Sequence, residues 1–408
     1  MLETVVLLFT LAGLVLYTVL AGADFGAGLW QLLSGTGPRG RSMRDHAHRA
    51  MAPVWEANHV WLIFVLTVAW TAFPEVIGSL ASTLTIPISV AALGIVFRGL
   101  AYALQSATDV PHERRVIDLI FAASSVLTPY MLGATIGAIA SGRVPLGNAA
   151  GDLISSWVNP TSILTGCLAV VVGGFLAAVY LAADAARLGE TDLQRAFRDR
   201  SLAAAVLTGA LAVAGLVVLH HDARHIYLGL TSGYGLAAVV VCGCAGIGTV
   251  ALVWTARFQV ARVSAAVAVA AILAGWAAAQ RPTVLPGLTL HQAAAGRATL
   301  IAVIVAVLLG AAVLAPSLAL LFRLVLTGGF DPRARSEPPL APDQARREHP
   351  RHAARGATAC AAAGFVLLTV LDNAVAHVFG VLALLAAATL TFVAVRPDDL
   401  SEATHGQH

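Results

Sequence analysis

The sequence predicts an all-α, polytopic integral membrane protein, and three observations carry that prediction. Apolar residues make up 58% of the 408 positions and charged residues only 12%, with a mean hydropathy of +0.81; a soluble chain of this length needs far more charge to cover its surface. Several stretches run about 20 residues with hardly a charge, the length that spans roughly 30 Å of hydrocarbon. Finally, the arginines concentrate in alternate loops between these stretches, as membrane insertion requires.

Taken in order, the apolar runs predict helices near 4–33, 54–73, 78–106, 116–140, 160–187, 199–219, 231–256, 261–280 and 297–325. The first carries Glu3 and no basic residue before its apolar run, and that run is too long for a signal h-region; it is expected to stay as a helix. A polar stretch rich in proline and arginine follows the ninth helix, over residues 327–355. Two further apolar runs, 356–371 and 374–395, are separated by Asp372-Asn373, and the first is short for a full crossing. The expected domains are a nine-helix membrane domain (1–326), a cytoplasmic linker (327–355), a C-terminal helical hairpin (356–396) and a polar tail (397–408).

Orientation follows from arginine bias. With the N-terminus outside, the cytoplasmic loops hold Arg39, Arg41, Arg44 and Arg49, then Arg114 and Arg115, then Arg187, Arg195, Arg198 and Arg200, then Arg257 and Arg262, and finally the cluster from Arg323 to Arg355. The outside loops retain only Arg143, Arg224, Arg281 and Arg297, an asymmetry of about five to one. The C-terminus is therefore expected in the cytoplasm. All 25 lysine-plus-arginine residues are arginine, a compositional bias with no mechanistic content, and a net charge of +3 gives no support to nucleic-acid binding. Cys167, Cys242, Cys244 and Cys360 lie in apolar segments and read as small buried hydrophobes.

Ionisable residues within such segments are costly, and by default they point to ion or proton handling. Two strings hold most of them: Gly22-Ala23-Asp24-Phe25-Gly26-Ala27-Gly28, and Pro53-Val54-Trp55-Glu56-Ala57-Asn58-His59-Val60-Trp61. Asp24 lies late in the first helix, near the cytoplasmic face. Glu56 and His59 open the predicted second helix from that same face and, three apart, share one of its sides. Arg98 lies late in the third. These four can hold a proton or water file, and they can equally form a structural ion-pair network. Asp184, late in the fifth helix, has a similar placement and reads equally as a helix-end charge that snorkels. Gly22 and Gly26 make a small-x-x-x-small pair that admits a neighbouring backbone. Trp55 and Trp70 suit the interface belt, whereas Trp61, deeper, can pack on a helix or line a cavity.

Among the histidines, His46, His48, His112, His349, His352, His405 and His408 fall in polar loops or the tail and are expected to be solvated. His220, His221 and His225 fall in an outside loop. Only His59 and His377 fall within spans, too few for a bis-histidine haem bundle, so no metal ligand is assigned to this chain.

These residues carry a resemblance. The chain resembles subunit II of the cytochrome bd-type quinol oxidases, whose Asp-Gly-Phe-Asp-Leu-Gly-x-Gly string reads here Ala21-Gly22-Ala23-Asp24-Phe25-Gly26-Ala27-Gly28. The family's Pro-Val-Trp-Asp-Gly-Asn-Glu-Val-Trp-Leu signature appears as Pro53 through Leu62, with Glu56, Ala57 and His59 substituted. Phe73-Pro74 and Arg98-Gly99 match a downstream Phe-Pro and an Arg-Gly pair. The departures are equally definite: Ala21 replaces the first acid of the helix-one string, His59 replaces a glutamate, and Ala103-Leu104-Gln105 stands where Glu-Phe-Arg often follows. The C-terminal hairpin exceeds the family's nine helices. The branch is divergent.

The resemblance implies two four-helix bundles plus a ninth helix, in the inner (cytoplasmic) membrane of a bacterium. It implies a partner, subunit I, that carries haem b and haem d (or three b-type haems), oxidises quinol and reduces oxygen to water. Small accessory membrane subunits, quinone and lipid are further contacts. This chain would hold no catalytic residue and no haem ligand. Asp24, Glu56, His59 and Arg98 would sit on the proton pathway, and Trp55, Asn58 and Trp61 at the subunit interface or a gas path. The competing readings are a proton-coupled secondary transporter, against which stands the lack of a matched pair of interrupted helices, and a scaffold subunit without turnover.

Overall fold

The computed structural model describes residues 1–35, 37–105 and 111–326, with a few short helical stretches between 356 and 387. Contacts divide the chain into two units, Met1–Pro316 and Ser317–His408. In the second unit the described residues, Gly356 and Ala387 among them, are helical. The predicted linker, most of the C-terminal hairpin with His377, and the polar tail lie outside the described residues.

The first unit is helical nearly throughout. Its elements are α1 (Leu2–Leu32), α2 (Pro38–Ala72), α3 (Pro74–Thr83), α4 (Thr85–Gln105), α5 (Pro111–Ala140), α6 (Pro160–Arg187), α7 (Thr191–Asp222), α8 (Arg224–Leu230), α9 (Gly233–Trp254) and α10 (Phe258–Gln280). A small antiparallel hairpin, β1 (Thr283–Leu285) and β2 (Leu288–Thr289), then leads to α11 (Leu290–Ala293) and α12 (Arg297–Leu326), which runs across the unit boundary. Among the described residues eight helices are long and apolar enough to cross a membrane, and the bent pair α2–α3, counted as one span, makes a ninth. All nine predicted apolar segments are found.

Two of them differ in extent, for identifiable reasons. The second helix begins at Pro38, not near residue 54. Pro38 suits a first helical position, where its missing N–H would have no partner in any case. The added arm is rich in arginine and histidine, but Met43, Ala47 and Met51, each four residues on, form a buried apolar stripe that packs with Phe197 and Leu193 of α7 and Leu181 of α6. The predicted third helix, 78–106, is two helices. Phe73 ends α2 in a non-helical conformation (φ −135°, ψ 57°) because the residue before a proline is kept out of the helical region. Pro74 then starts α3 at an angle of 116° to the preceding span, and a second break at Leu84 releases α4.

The spans form two four-helix bundles: α1, α2, α4 and α5, then α6, α7, α9 and α10. They join through α6, which packs on both α1 and α5. Backbone approach there is very close. A Cβ on Gly26 would lie 2.0 Å from the Gly173 carbonyl oxygen, and one on Gly137 would lie 2.5 Å from the Ser162 Cα. Trp30 Nε1 donates to the Gly174 carbonyl at 2.7 Å. The small-residue pair at Gly22 and Gly26 thus faces Gly173 of α6. By contrast, the outer helices α7, α9 and α12 leave large apolar side chains such as Val206, Ile247 and Leu309 exposed. Cys167 and Cys244 also face outward, where the sequence suggested buried positions, because their helices turn those faces away from the bundle core.

At the end of the bundles that carries the β hairpin, Asp222 closes α7 onto α5 and α6. Its carboxylate accepts from Arg143 Nη1 and Nη2 at 3.0 and 2.6 Å, and from the Thr161 backbone N–H and hydroxyl at 3.1 and 2.6 Å. Asn159 caps α6 by accepting from the Ser162 N–H at 2.9 Å. Asp222→Ala strips four charge-assisted bonds from a half-exposed arginine and a helix start. The expected cost is about 1–3 kcal/mol, to be read as a lower thermal midpoint of the purified protein; an unchanged midpoint would show that water replaces the carboxylate at no cost.

Candidate functional site

The residues singled out on α1, α2 and α4 meet in one buried cluster. Asp24 lies eight residues before the end of α1, Asn58 on α2 and Arg98 on α4, and each is at most 3% exposed. Arg98 Nη2 donates to Asp24 Oδ1 at 2.7 Å and to the Asp24 backbone carbonyl at 2.8 Å, while Nε donates to Oδ2 at 3.3 Å. Asn58 Nδ2 donates to the same Oδ2 at 3.2 Å. The remaining guanidinium nitrogen donates to Ser125 Oγ on α5, which in turn donates to the Phe121 carbonyl. The flat guanidinium is sandwiched between the rings of Phe25 and Phe121, 4.8 and 4.2 Å from their centroids.

Local sequence explains the fit. Gly28, one turn past Asp24, faces the same space: a Cβ there would lie 2.1 Å from Ser125 Oγ and 2.8 Å from Arg98 Nη1. The glycines of the first string therefore do two jobs, Gly26 admitting α6 and Gly28 admitting the arginine. Gly94, one turn before Arg98, packs equally closely on the Thr128 hydroxyl of α5.

Chemically, this is a charge-neutral node with both carboxylate oxygens engaged. Such an arrangement fixes the Asp24 carboxylate against Arg98, and a partner lost from it would strand a buried charge. It positions α1, α2, α4 and α5 against one another. Ser125 is the member that sequence reading missed, for one of two adjacent serines in an apolar helix gives no signal. Asn58, expected at an interface or gas path, donates to the Asp24 carboxylate.

Other predicted site residues lie around the cluster. Trp61 is partly buried and packs with Tyr17, Ala21, Phe25, Leu62, Ile95 and Leu132, and its ring stands perpendicular to that of Phe64 at 6.0 Å. His59 follows Asn58 by one residue, about 100° around the helix, and is partly buried. The side chains of Trp55 and Glu56 lie outside the described residues. Their helix, however, starts well before them at Pro38. Glu56 and His59 therefore do not open α2, and the helix dipole does not act on them, since it fades within the first turn.

His46 is a correction of another kind. It is 1% exposed rather than solvated, because the arm of α2 that carries it lies against α6 and α7. Among the described residues no three of histidine, cysteine, aspartate and glutamate converge as a metal site would require.

The sequence profile of the cytochrome bd terminal oxidase subunit II family matches residues 2–325. The chain belongs to that family. Subunit II similarity extends to two Bacillus subtilis (strain 168) proteins. One, provisionally named as a cytochrome bd menaquinol oxidase subunit II, is 24% identical over 236 residues, covering 57% of this chain and 67% of the relative. The other, a cytochrome bd ubiquinol oxidase subunit 2, is 27% identical over 150 residues, 36% of this chain and 43% of its own length. Among solved structures, a chain of the bd oxidase from Geobacillus thermodenitrificans is 26% identical with a TM-score of 0.62, the likeness covering 80% of this chain and 99% of that one. The match runs through the nine subunit II spans and stops short of the segments beyond residue 326.

Proposed function

We propose that this chain is the haem-free membrane subunit of a quinol:oxygen oxidoreductase, supporting a haem-bearing subunit I and giving protons and oxygen access to it. The observation that carries the reading is the likeness to a bd oxidase chain over 99% of that chain's length, with the motif residues gathered into one buried node. The overall reaction joins two quinols and one oxygen to give two quinones and two waters. Its four protons are drawn from one side of the membrane. Arginine bias makes that side, the cytoplasm, the end where α2 begins. Reporter fusions after Arg49, Arg198 and Arg262 are expected to read cytoplasm, and those near Asn148 and His291 outside; a consistent reversal would remove the proton-access argument.

In this reading Asp24 and Arg98 set the electrostatics of the route and hold its walls, while Glu56, on α2 two residues before Asn58, is the group that relays protons. Trp55 and Trp61 border the partner or an apolar oxygen path. Glu56→Gln is expected to slow quinol-driven oxygen consumption by about tenfold or more while leaving haem content unchanged. Glu56→Asp should keep part of the rate, and His59→Ala should be milder than either. Near-normal turnover in Glu56→Gln would show that protons enter elsewhere. The reading as a whole is tested by purifying the chain from its native membrane and recording a reduced-minus-oxidised spectrum. Haem signals that follow a co-purifying membrane partner are expected. A colourless, stable, single-chain particle would overturn it.

A further inference from the structure

A second cluster of ionisable groups lies apart from the Asp24–Arg98 node, at the end where α2 begins. His46 is held on the buried arm of α2. Its Nε2 stands 3.1 Å from the Leu181 backbone carbonyl and 4.0 Å from Asp184 Oδ2. Its Nδ1 faces Glu190 Oε2, on the turn between α6 and α7, at 3.4 Å. The imidazole also packs on Phe197 of α7, with ring centroids 5.7 Å apart.

The tautomer follows from these partners. A carbonyl oxygen can only accept, so Nε2 carries a hydrogen. A neutral ring then turns the Nδ1 lone pair toward a carboxylate oxygen, and two acceptors facing each other are repulsive unless a proton lies between them. Glu190 Oε2 is buried and, among the described residues, accepts no hydrogen bond, so no other donor among them relieves that contact. Yet the Glu190 side chain as a whole is 38% exposed. One end of this carboxylate meets water and the other meets a buried imidazole.

The surrounding charges fit a proton held there. Asp184 is bound by Arg187 at 2.7 Å, and Arg262 of α10 acts on the same carboxylate. Along α2 itself, Asp45, His48 and Arg49 are the neighbours in sequence, and His48 stacks on Tyr102 instead. A cationic His46 thus has two carboxylates near it, one of them already shared with arginine. Along α2, His46 precedes Asn58 by about 18 Å at 1.5 Å per residue, which makes the two clusters separate centres.

We propose that His46 and Glu190 hold one exchangeable proton between them and form a proton-collecting site on this subunit, distinct from the Asp24–Arg98 node. A proton from water binds the Glu190 carboxylate and passes to Nδ1. The O–H bond breaks as the N–H bond forms, leaving the imidazolium between Glu190 and Asp184. The collecting role rests on the oxidase reading above, with proton uptake from the end where α2 begins; the shared proton does not.

The test therefore has two arms, both on the purified complex with its native partner. Infrared difference spectra between acid and alkaline pH report the resting protein without turnover. Glu190→Gln is expected to remove the carboxylate signal and the imidazolium signal together, and His46→Gln the same pair. The double variant should lose nothing further. Signals that vanish one by one, each with its own residue, would overturn the shared proton. The partly exposed Glu190→Gln keeps this arm decidable should the buried His46→Gln fail to fold. In the second arm, proton uptake after an oxygen pulse is followed in vesicles. Glu190→Gln should slow it about three- to tenfold with an unchanged haem spectrum, and Glu190→Asp should restore part of the rate. Wild-type uptake in Glu190→Gln would overturn the collecting role. If the unaltered complex consumes no oxygen with quinol, the oxidase reading and the collecting role fall together, while the infrared arm still decides the shared proton.

Discussion

Arg98→Ala is expected to destabilise the subunit more than any other single charge removal in the membrane-spanning part of the chain. The substitution deletes the partner of a carboxylate that is 3% exposed and takes away three of the bonds that Asp24 receives. Breaking a buried pair from one side costs about 3–5 kcal/mol, because the remaining charge stays buried without compensation. A domain with the usual margin of about 5–15 kcal/mol loses a large share of it. The measurable result is a sharp fall in the amount of subunit recovered in the membrane and in its thermal midpoint. Arg98→Lys should fall between, since an ammonium cannot bridge both carboxylate oxygens and Ser125 or lie flat between Phe25 and Phe121. Asp24→Asn should be milder than Arg98→Ala: the guanidinium keeps Ser125, a backbone carbonyl and two aromatic faces. If Arg98→Ala and Asp24→Asn both behaved like the wild type, the ion pair would hold nothing together.

Gly26→Ala is the second substitution with a large expected effect, and it acts by sterics alone. The added methyl would sit 2.0 Å from the Gly173 carbonyl oxygen and 2.3 Å from its carbon. These are backbone atoms in the middle of α6, so relief requires α1 and α6 to move apart at one of the close seams between the two bundles. Overpacking a tight site typically costs about 1–3 kcal/mol, occasionally more, and a backbone-to-backbone clash belongs at the upper end. Gly243→Ala is the matched control, since a Cβ there meets nothing within 4 Å. Loss of folded protein in Gly26→Ala with a normal yield in Gly243→Ala is the expected pair of results. Equal yields would mean that α1 and α6 can slide apart freely.

The spans were legible in the sequence because hydrocarbon imposes a simple length and polarity rule, and all nine apolar runs obey it. The arm of α2 was not, since Arg39, Arg41, Arg44 and Arg49 mask a short apolar stripe of Met43, Ala47 and Met51. Its burial is decided by α6 and α7, more than 100 residues downstream. The same contact explains why His46 looked solvated. The α3–α4 break was signalled by Phe73-Pro74, but an apolar run continues through it, and hydropathy cannot see a bend of 116°. At the site, the types and spacing of Asp24 and Arg98 were visible, and their pairing is chemically natural. Ser125 and the role of Gly28 were invisible, because both depend on which helix face lies opposite.

The separation of Asp24 and Arg98 by 74 residues also bears on how the subunit is made. Chains emerge from the ribosome at roughly 5–20 residues per second, so about 4–15 s pass between synthesis of the carboxylate and arrival of its guanidinium. During that interval α1 is already an insertable helix with an acid eight residues from its end, and an aspartate at a helix centre carries an insertion penalty of about 3 kcal/mol. Asp24, close to the cytoplasmic end of α1, lowers that cost by keeping its carboxylate near the water-facing edge until its partner arrives. The appearance of α4 then completes the pair and locks α1 and α2 in place.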